Sequence, residues 1–212
     1  MKGRVRRLLV AAGPTREYID PVRYISNDSS GLMGFSLAAA AARMGLSVTL
    51  VAGPVCLPTP AGVRRVDVVS ARQMAAAVLR LARRSDAVIM AAAVADYRPS
   101  RCAKRKIKRA ASRSHGLTIP LTENPDILSE LGRRRRAHQT LVGFALETSD
   151  LERNARAKLR GKGCDWIVAN LATNIGAGAG SALLIGKNGE SVKLRRMPKE
   201  DLSSIILSHV LV

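Results

Sequence analysis

Asp96 stands at the end of a continuous apolar run, Asp86–Ala93, and leads into Tyr97-Arg98-Pro99. Such a run reads as a central parallel strand buried on both faces. A carboxylate released at its carboxyl end can hold Mg²⁺, accept from a ribose hydroxyl, or cap the turn before Pro99. Shortly after it, Lys104-Arg105-Lys106-Ile107-Lys108-Arg109 carries cations with no acidic residue among them. Runs of this kind are usually solvated or bind nucleic acid without sequence preference. The functional alternative is a lid that closes over a polyphosphate and supplies a cation where charge develops. Nearer the start, Gly13, Asn27, Ser29 and Ser30 precede Gly31-Leu32-Met33-Gly34. Small hydrogen-bonding residues before a helix N-terminus favour an anion, most simply a phosphate. The Gly-x-x-Gly pair lacks the spacing of the dinucleotide fingerprint, and glycines needed for turns and close packing explain it equally well. His115, His138 and His209 are isolated, with no Ser or Cys pattern suggesting a triad.

The segments that must position these residues alternate between strand and helix. Strands are expected at Arg7–Ala12, Ser47–Ala52, Val63–Val69, Asp86–Ala93, Leu117–Leu121, Thr140–Leu146 and Asp165–Asn170. Helices are expected at Gly34–Met44, with Gly45 ending it, at Ala71–Arg84 behind Ser70, at Ile127–Arg136 behind Asn124-Pro125-Asp126, and at Leu151–Leu159. A hairpin, Ala182–Ile185 and Ser191–Leu194 about Lys187-Asn188-Gly189, precedes a last helix over Pro198–Leu211. This alternation predicts an α/β fold: a Rossmann-like, mostly parallel sheet with helices on both faces and a late β-hairpin. Ligands of such sheets sit beyond the carboxyl ends of the strands. The loops Gly13–Gly34, Gly53–Ala61 and Val94–Ser114 are therefore where chemistry is sought. The first is far longer than the usual strand-to-helix connection of about 2–6 residues.

At 212 residues the chain is expected to form one domain over 1–212. Its formal net charge of +19 attracts polyanions, whether nucleic acid or nucleotide, without choosing between them. Only 3% of residues are aromatic, which argues against base stacking as the binding mode. Cys56, Cys102 and Cys164 are odd in number and far apart, so neither a disulfide framework nor a zinc site is expected. No apolar stretch reaches the ~18 residues of a membrane span, and the expected location is cytoplasmic.

Taken together, these motifs closely resemble phosphopantothenoylcysteine synthetase. The resemblance rests on Ala12-Gly13-Pro14-Thr15-Arg16-Glu17, Asp20-Pro21-Val22-Arg23-Tyr24-Ile25-Ser26-Asn27, Ser29-Ser30-Gly31 and Met33-Gly34. It continues through Ala91–Pro99, Lys106-Ile107-Lys108, Asn124-Pro125-Asp126-Ile127, Val142-Gly143-Phe144-Ala145, Glu147-Thr148 and Ile167-Val168-Ala169-Asn170, in order and with family-like spacing. Leu32, Glu123, Leu171 and the Gly178–Ser181 region depart from the family pattern, whereas Asn27, Asp96 and Lys106 match it.

The resemblance implies a ligase that joins 4′-phosphopantothenate to L-cysteine in coenzyme A biosynthesis, using CTP and Mg²⁺ through an acyl-cytidylate, with no flavin. It makes Lys106 the residue that forms the intermediate and directs Asn27 at the acyl group. It lines the CTP site with Met90, Ala91, Ala92, Asp96, Pro125, Asp126, Ile127, Leu128, Phe144, Lys158 and Lys162. It also implies a homodimer with no membrane association and no specific nucleic-acid binding. Because the first strand begins close to Met1, the upstream decarboxylase of many relatives is not expected. Two rivals are a nicotinamide-dependent reductase on a similar sheet and a basic nucleic-acid-binding module. The reductase predicts a compact glycine fingerprint and an acidic end to the second strand, yet Leu50-Val51-Ala52-Gly53 stands there.

Overall fold

The computed structural model describes residues 6–108, 116–147, 149–171 and 178–211. Arg109, His115 and Thr148, named above, lie outside the described residues. In chain order the elements are β1 (Arg7–Ala12), β2 (Arg16–Tyr18), β3 (Tyr24–Ser26), α1 (Leu32–Arg43), β4 (Ser47–Ala52), β5 (Val63–Asp67) and α2 (Ala71–Ala82). There follow β6 (Ala87–Met90), β7 (Tyr97–Pro99), β8 (Leu121–Glu123), α3 (Ile127–Arg134), β9 (Thr140–Glu147), α4 (Leu151–Gly161), β10 (Trp166–Leu171), β11 (Ala179–Gly186), β12 (Ser191–Pro198) and α5 (Lys199–Val210).

One eight-stranded sheet runs β12-β11-β10-β9-β6-β1-β4-β5. The six strands from β10 to β5 are parallel, and β11 and β12 close the sheet as an antiparallel hairpin. This is the expected α/β architecture. Strand order reverses at β1, which lies between β4 and β6, so a crevice opens beyond the carboxyl ends of β1 and β6.

Successive strand residues point to opposite faces and fill two separate cores. Leu9, Val88, Leu141 and Ile167 pack under α2, α3 and α4, together with Met74, Val78, Leu131 and Leu159. Leu8, Val10, Ile89, Val142 and Val168 pack under α1 and α5, together with Leu37, Ile206 and Leu207. Central strands buried on both faces must be apolar at every position, which explains the unbroken run leading to Asp96.

The helix ends follow their sequence signals. Ser70 and Gln73 form a reciprocal capping box at α2. The Asp126 carboxylate accepts the Ser129 N–H at 2.9 Å and caps α3. At the end of α1, Leu46 N–H donates to Ala41 and Gly45 N–H to Ala42, with Gly45 at φ +80°. This bond pair satisfies the last carbonyls of the helix.

Several boundaries differ from expectation. The long β1–α1 connection contains a three-residue hairpin, β2–β3, too short to leave an alternating pattern. The strand expected at Leu117–Leu121 lies instead at Leu121–Glu123, where it pairs with β7. Arg98 fixes this register by donating to the Glu123 carbonyl and the Asn124 side chain. α3 stops at Arg134 because Arg135 turns extended and pairs with the buried Asp165, while Arg136 donates to the Ser85 carbonyl at 2.8 Å. β6 ends at Met90, and both hairpin strands are longer than expected.

Gly53, after β4, has no room for a side chain. A Cβ there would lie 1.7 Å from the Pro14 carbonyl oxygen, a backbone atom. Gly53→Ala must push the β1–α1 connection outwards. It is expected to destabilise the protein by about 3 kcal/mol, the upper part of the usual overpacking range, measurable as a lower urea midpoint.

Four carboxylates are held below their ordinary value of 3.8. Asp20 is lowered chiefly by the Arg23 guanidinium. For Asp86, Asp126 and Asp165 burial pushes upward, but hydrogen bonds from Arg7, Lys162 and Lys187, with backbone N–H groups, outweigh it. A depressed folded pKa contributes stability that is complete above the unfolded value and is lost as pH falls through the folded one. The urea midpoint is therefore expected to be flat with respect to these groups from about pH 5 to 7 and to drop below about pH 4.

Candidate functional site

The crevice at the strand-order reversal holds two adjoining cavities, of about 630 and 440 Å³. The larger runs from Asn27, Ser29 and Ser30 past the start of α1 to β10, β11 and α5. The smaller lies among Met90, Asp96, Glu123 and the start of α3, with Lys158 on α4 and Lys162 capping its end. Ala92, Val94, Asp96, Phe144 and Lys158 line both and so form the wall between them.

That wall is rigid for identifiable reasons. Ala93 N–H donates to the Gly13 carbonyl at 2.9 Å, and the Ala93 carbonyl accepts from Thr15 N–H at 3.3 Å. The buried Thr15 hydroxyl accepts Ala95 N–H at 3.0 Å. Asn124 donates its side-chain amide to the Ala95 carbonyl at 2.9 Å and its N–H to the Asp96 carbonyl at 2.7 Å. Loops after β1 and β8 thus stitch down the strip carrying Asp96. Thr15 and Asn124 belong to the motifs noted above, yet nothing in the sequence marked them as the residues that hold this strip.

Most site residues expected from the sequence converge here. Met90, Pro125, Asp126, Ile127, Leu128 and Lys162 line the smaller cavity. Asn27, Ser29, Ser30 and Ala91 line the larger, and Ala92, Asp96, Phe144 and Lys158 face both. Gly161 does not interrupt α4, whose last bond runs from Lys162 N–H to the Lys158 carbonyl at 2.9 Å. Both lysines therefore face one cavity. Lys162 pairs with Asp126. Burial lowers the Lys158 pKa, with Glu147 opposing. A half-buried ammonium of this kind is poised to take a phosphate oxygen.

Two expected residues lie elsewhere. Gly13 lines neither cavity: it sits at φ +79°, a Cβ there would meet Val55 at 3.2 Å, and its carbonyl holds Ala93 of the wall. Gly34 borders the larger cavity, but a Cβ there would meet that of Ala12 at 2.4 Å, so close helix–strand packing accounts for it. Lys106 is exposed and also lines neither cavity. Its segment is held beside the β2–β3 turn: Ala103 N–H donates to the Ile19 carbonyl at 2.9 Å, and Ile107 N–H to the buried Asp20 carboxylate at 3.1 Å.

Asn27 is committed on one side. Its amide nitrogen donates to the carbonyls of Ala93 and Val94, both at 3.1 Å, which leaves the side-chain oxygen as its available group. Because those partners accept only, the amide orientation is fixed by the network.

Among the described residues no group of three His, Cys, Asp or Glu side chains could enclose a metal ion. Asp96 is the exposed carboxylate common to both cavities. One carboxylate suits Mg²⁺, which usually keeps its waters and binds through one or two carboxylates plus substrate phosphates. Cys164 is buried and its thiol is pushed up to about 12, so it is not a nucleophile. Among the described residues no helix is long and apolar enough to cross a membrane.

A mostly parallel sheet with two adjoining cavities at its order reversal defines an α/β protein with a small-molecule site where such sheets bind their ligands. The chain belongs to the family described as the DNA/pantothenate metabolism flavoprotein C-terminal domain, which it matches over residues 3–212. It is 46% identical over 206 residues to the coenzyme A biosynthesis bifunctional protein CoaBC of Vibrio cholerae, covering 95% of this chain and 51% of that protein. The chain thus spans about half the length of the curated relatives it matches first. Its fold superposes on the crystal structure of the C-terminal domain of a CoaBC protein with a TM-score of 0.83 and 39% identity, covering 97% of this chain and 93% of that one. A Cab2 variant in complex with phosphopantothenate-cysteine, 18% identical, has the same fold with a TM-score of 0.79, covering 97% of this chain and 85% of its own.

Proposed function

We propose that the protein joins 4′-phosphopantothenate to L-cysteine, using CTP, with the nucleotide in the smaller cavity and the acyl substrate in the larger. The carrying observation is the shared wall of Asp96, Phe144 and Lys158, where one reacting atom from each cavity can meet. Membership of the family and likeness to the CoaBC proteins support this reading.

A free carboxylate is a poor electrophile and must first be activated. A carboxylate oxygen of the acyl substrate attacks the α-phosphorus of CTP, and the bond to pyrophosphate breaks. The nitrogen of cysteine then attacks the acyl carbon, its proton passes to solvent, and CMP leaves. In the first step two anions approach one another, and cations must offset the repulsion. Lys158 and Lys162 stand at the smaller cavity for this, and Lys106 joins them when its segment closes. Asp96 is the residue that would hold Mg²⁺ arriving with the triphosphate, where the ion would offset phosphate charge. The free oxygen of Asn27 suits an N–H donor, so it orients the attacking amine beside the acyl group. The family description mentions a flavoprotein, but the match is to its C-terminal domain, and no step here uses a flavin.

A homodimer fits the exposed Tyr18, Val22, Tyr24, Tyr97 and Leu121 on the two small hairpins. Sedimentation velocity tests it. The decisive assay for the ligase is pyrophosphate release from CTP that requires 4′-phosphopantothenate, followed by CMP release on adding cysteine. Absence of pyrophosphate release with every nucleotide would overturn the reading.

A further inference from the structure

We propose that the end of the sheet opposite the two cavities is a docking surface for the phosphate backbone of duplex nucleic acid, bound without sequence preference through a row of arginines. This surface is separate from the catalytic crevice and stands independently of the ligase reading.

The cavities lie beyond the carboxyl ends of the parallel strands, so the amino ends form the opposite edge. In sheet order β1-β6-β9-β10-β11, that edge carries a cation beside every strand. Arg7 opens β1, and Arg83 and Arg84 precede β6. Arg136 precedes β9, Arg135 pairs with Asp165 ahead of β10, and Lys187 follows β11. Backbone bonds tie these turns into one surface. Asp86 N–H donates to the Arg7 carbonyl at 2.9 Å, and Thr140 N–H to the Asp86 carbonyl at 3.0 Å. Asp165 N–H donates to the Leu141 carbonyl, and Lys187 N–H to the Asp165 carbonyl, both at 2.9 Å. Arg136, donating to the Ser85 carbonyl, joins the end of α3 to the end of α2. At the usual strand spacing this row is about 20 Å long. One strand of a duplex presents about six phosphates over that length.

The charge of this edge is not balanced locally. Asp86 is occupied by Arg7, Glu130 by Arg133 and Arg134, and Asp165 by Arg135 and Lys187. Arg80, Arg83 and Arg84 are exposed and make no ion pair among the described residues. Cations at a helix C-terminus also offset the helix dipole, which accounts for part of the cluster. That dipole supplies only about half a negative charge per helix. Yet α2 leads into Arg83-Arg84 after Arg80, and α3 ends in the run Arg133-Arg134-Arg135-Arg136. The surplus faces water and gives part of the net charge of +19 a place outside the cavities.

The chemistry of the row selects the partner. Guanidinium forks take phosphate oxygens two at a time. The exposed aromatic rings Tyr18, Tyr24 and Tyr97 sit on the small hairpins and not on this edge, so it offers no platform for unstacked bases. Contacts to phosphates alone position a duplex without reading its sequence.

The test follows anisotropy of a labelled mixed-sequence duplex titrated with the full chain at several salt concentrations. The parent is expected to bind with a Kd of about 1–100 μM at physiological salt. Its binding constant should fall with salt on a log–log slope of about −5. Replacing Arg80, Arg83, Arg84 and Arg133 together by Gln is expected to weaken binding at least about 30-fold at low salt and to bring the slope to about −2. Arg134 is kept so that Glu130 retains a partner. The matched control replaces Arg72, Arg153, Arg195 and Arg196, exposed cations away from this edge, by Gln. It removes the same charge and should bind within about threefold of the parent. If the first variant does not fold, Arg83→Gln with Arg84→Gln carries the comparison, with a slope change of about 2. A parent that does not bind duplex at low salt overturns the proposal. So does an edge variant that keeps the parent's slope, or a control that weakens binding as much as the edge variant.

Discussion

Lys106→Gln is expected to slow pyrophosphate release in the first half-reaction by roughly 10²–10³-fold, the usual loss for one preorganised electrostatic partner of a transition state. The fold should be untouched. Lys106 is exposed, and its substitution should stay within about 0.5 kcal/mol in stability. The predicted loss therefore cannot come from unfolding. It comes from the one moment when an anionic carboxylate meets a polyanion and Lys106 supplies charge there. Once the acyl-cytidylate exists, that need has passed, and cysteine should be acylated from preformed intermediate at close to the parent rate. Equal losses in the two half-reactions would mean that Lys106 acts in binding and not in forming the intermediate.

The site was partly legible in the sequence because its positions are backbone-defined. A parallel strand buried on both faces has to be apolar throughout, so the run before Asp96 announced both the central strand and its carboxyl end. Gly45, Ser70 and Asp126 act through local bonds to the next few residues, and local bonds leave local signals. The hairpin β2–β3 left none, since three-residue strands are held by their partners and not by an alternating pattern. Lys199 was equally silent. A lysine opening a helix that continues Glu200-Asp201 looks like an ordinary surface turn, and only the packing of α5 beside α1 turns it towards a cavity. The net charge of +19 has no counterpart in the geometry of the two cavities.

Asn27 shows where motif and geometry diverge. The motif directs it at the acyl group. The structure commits both its amide hydrogens to the wall, so its contribution to a ligand is as an acceptor. An aspartate there would face two carbonyl oxygens with no proton to share. Asn27→Asp is thus a test of loop attachment as much as of chemistry, and a cleaner probe of the moving parts lies elsewhere.

That probe is Asp20. Its side chain is shielded from water, and it accepts the N–H groups of Val22 and Arg23 at 2.9 Å and of Ile107 at 3.1 Å. The Arg23 guanidinium pairs with the same carboxylate and donates to the Ile107 carbonyl at 2.7 Å. Asp20 and Arg23 therefore clasp both backbone groups of the residue next to Lys106, while Ala103 is tied to Ile19 on the other side. Lys106 is carried between two fixed points, which sets the arc it can sweep. Asp20→Asn keeps the shape but removes the charge that binds Arg23, loosening one of those points. The first half-reaction is expected to fall about 100-fold, as misplacing a group by about an ångström costs. KM for cysteine and the second half-reaction should be unchanged. Asp20 is held well below the usual carboxylate range by the Arg23 guanidinium, so the clasp in the parent stays ionised at neutral and mildly acidic pH. The Asp20→Asn defect should accordingly be constant from about pH 5 to 8. A faster first step in Asp20→Asn would reverse the assignment, making the clasp a restraint that holds Lys106 away from the nucleotide.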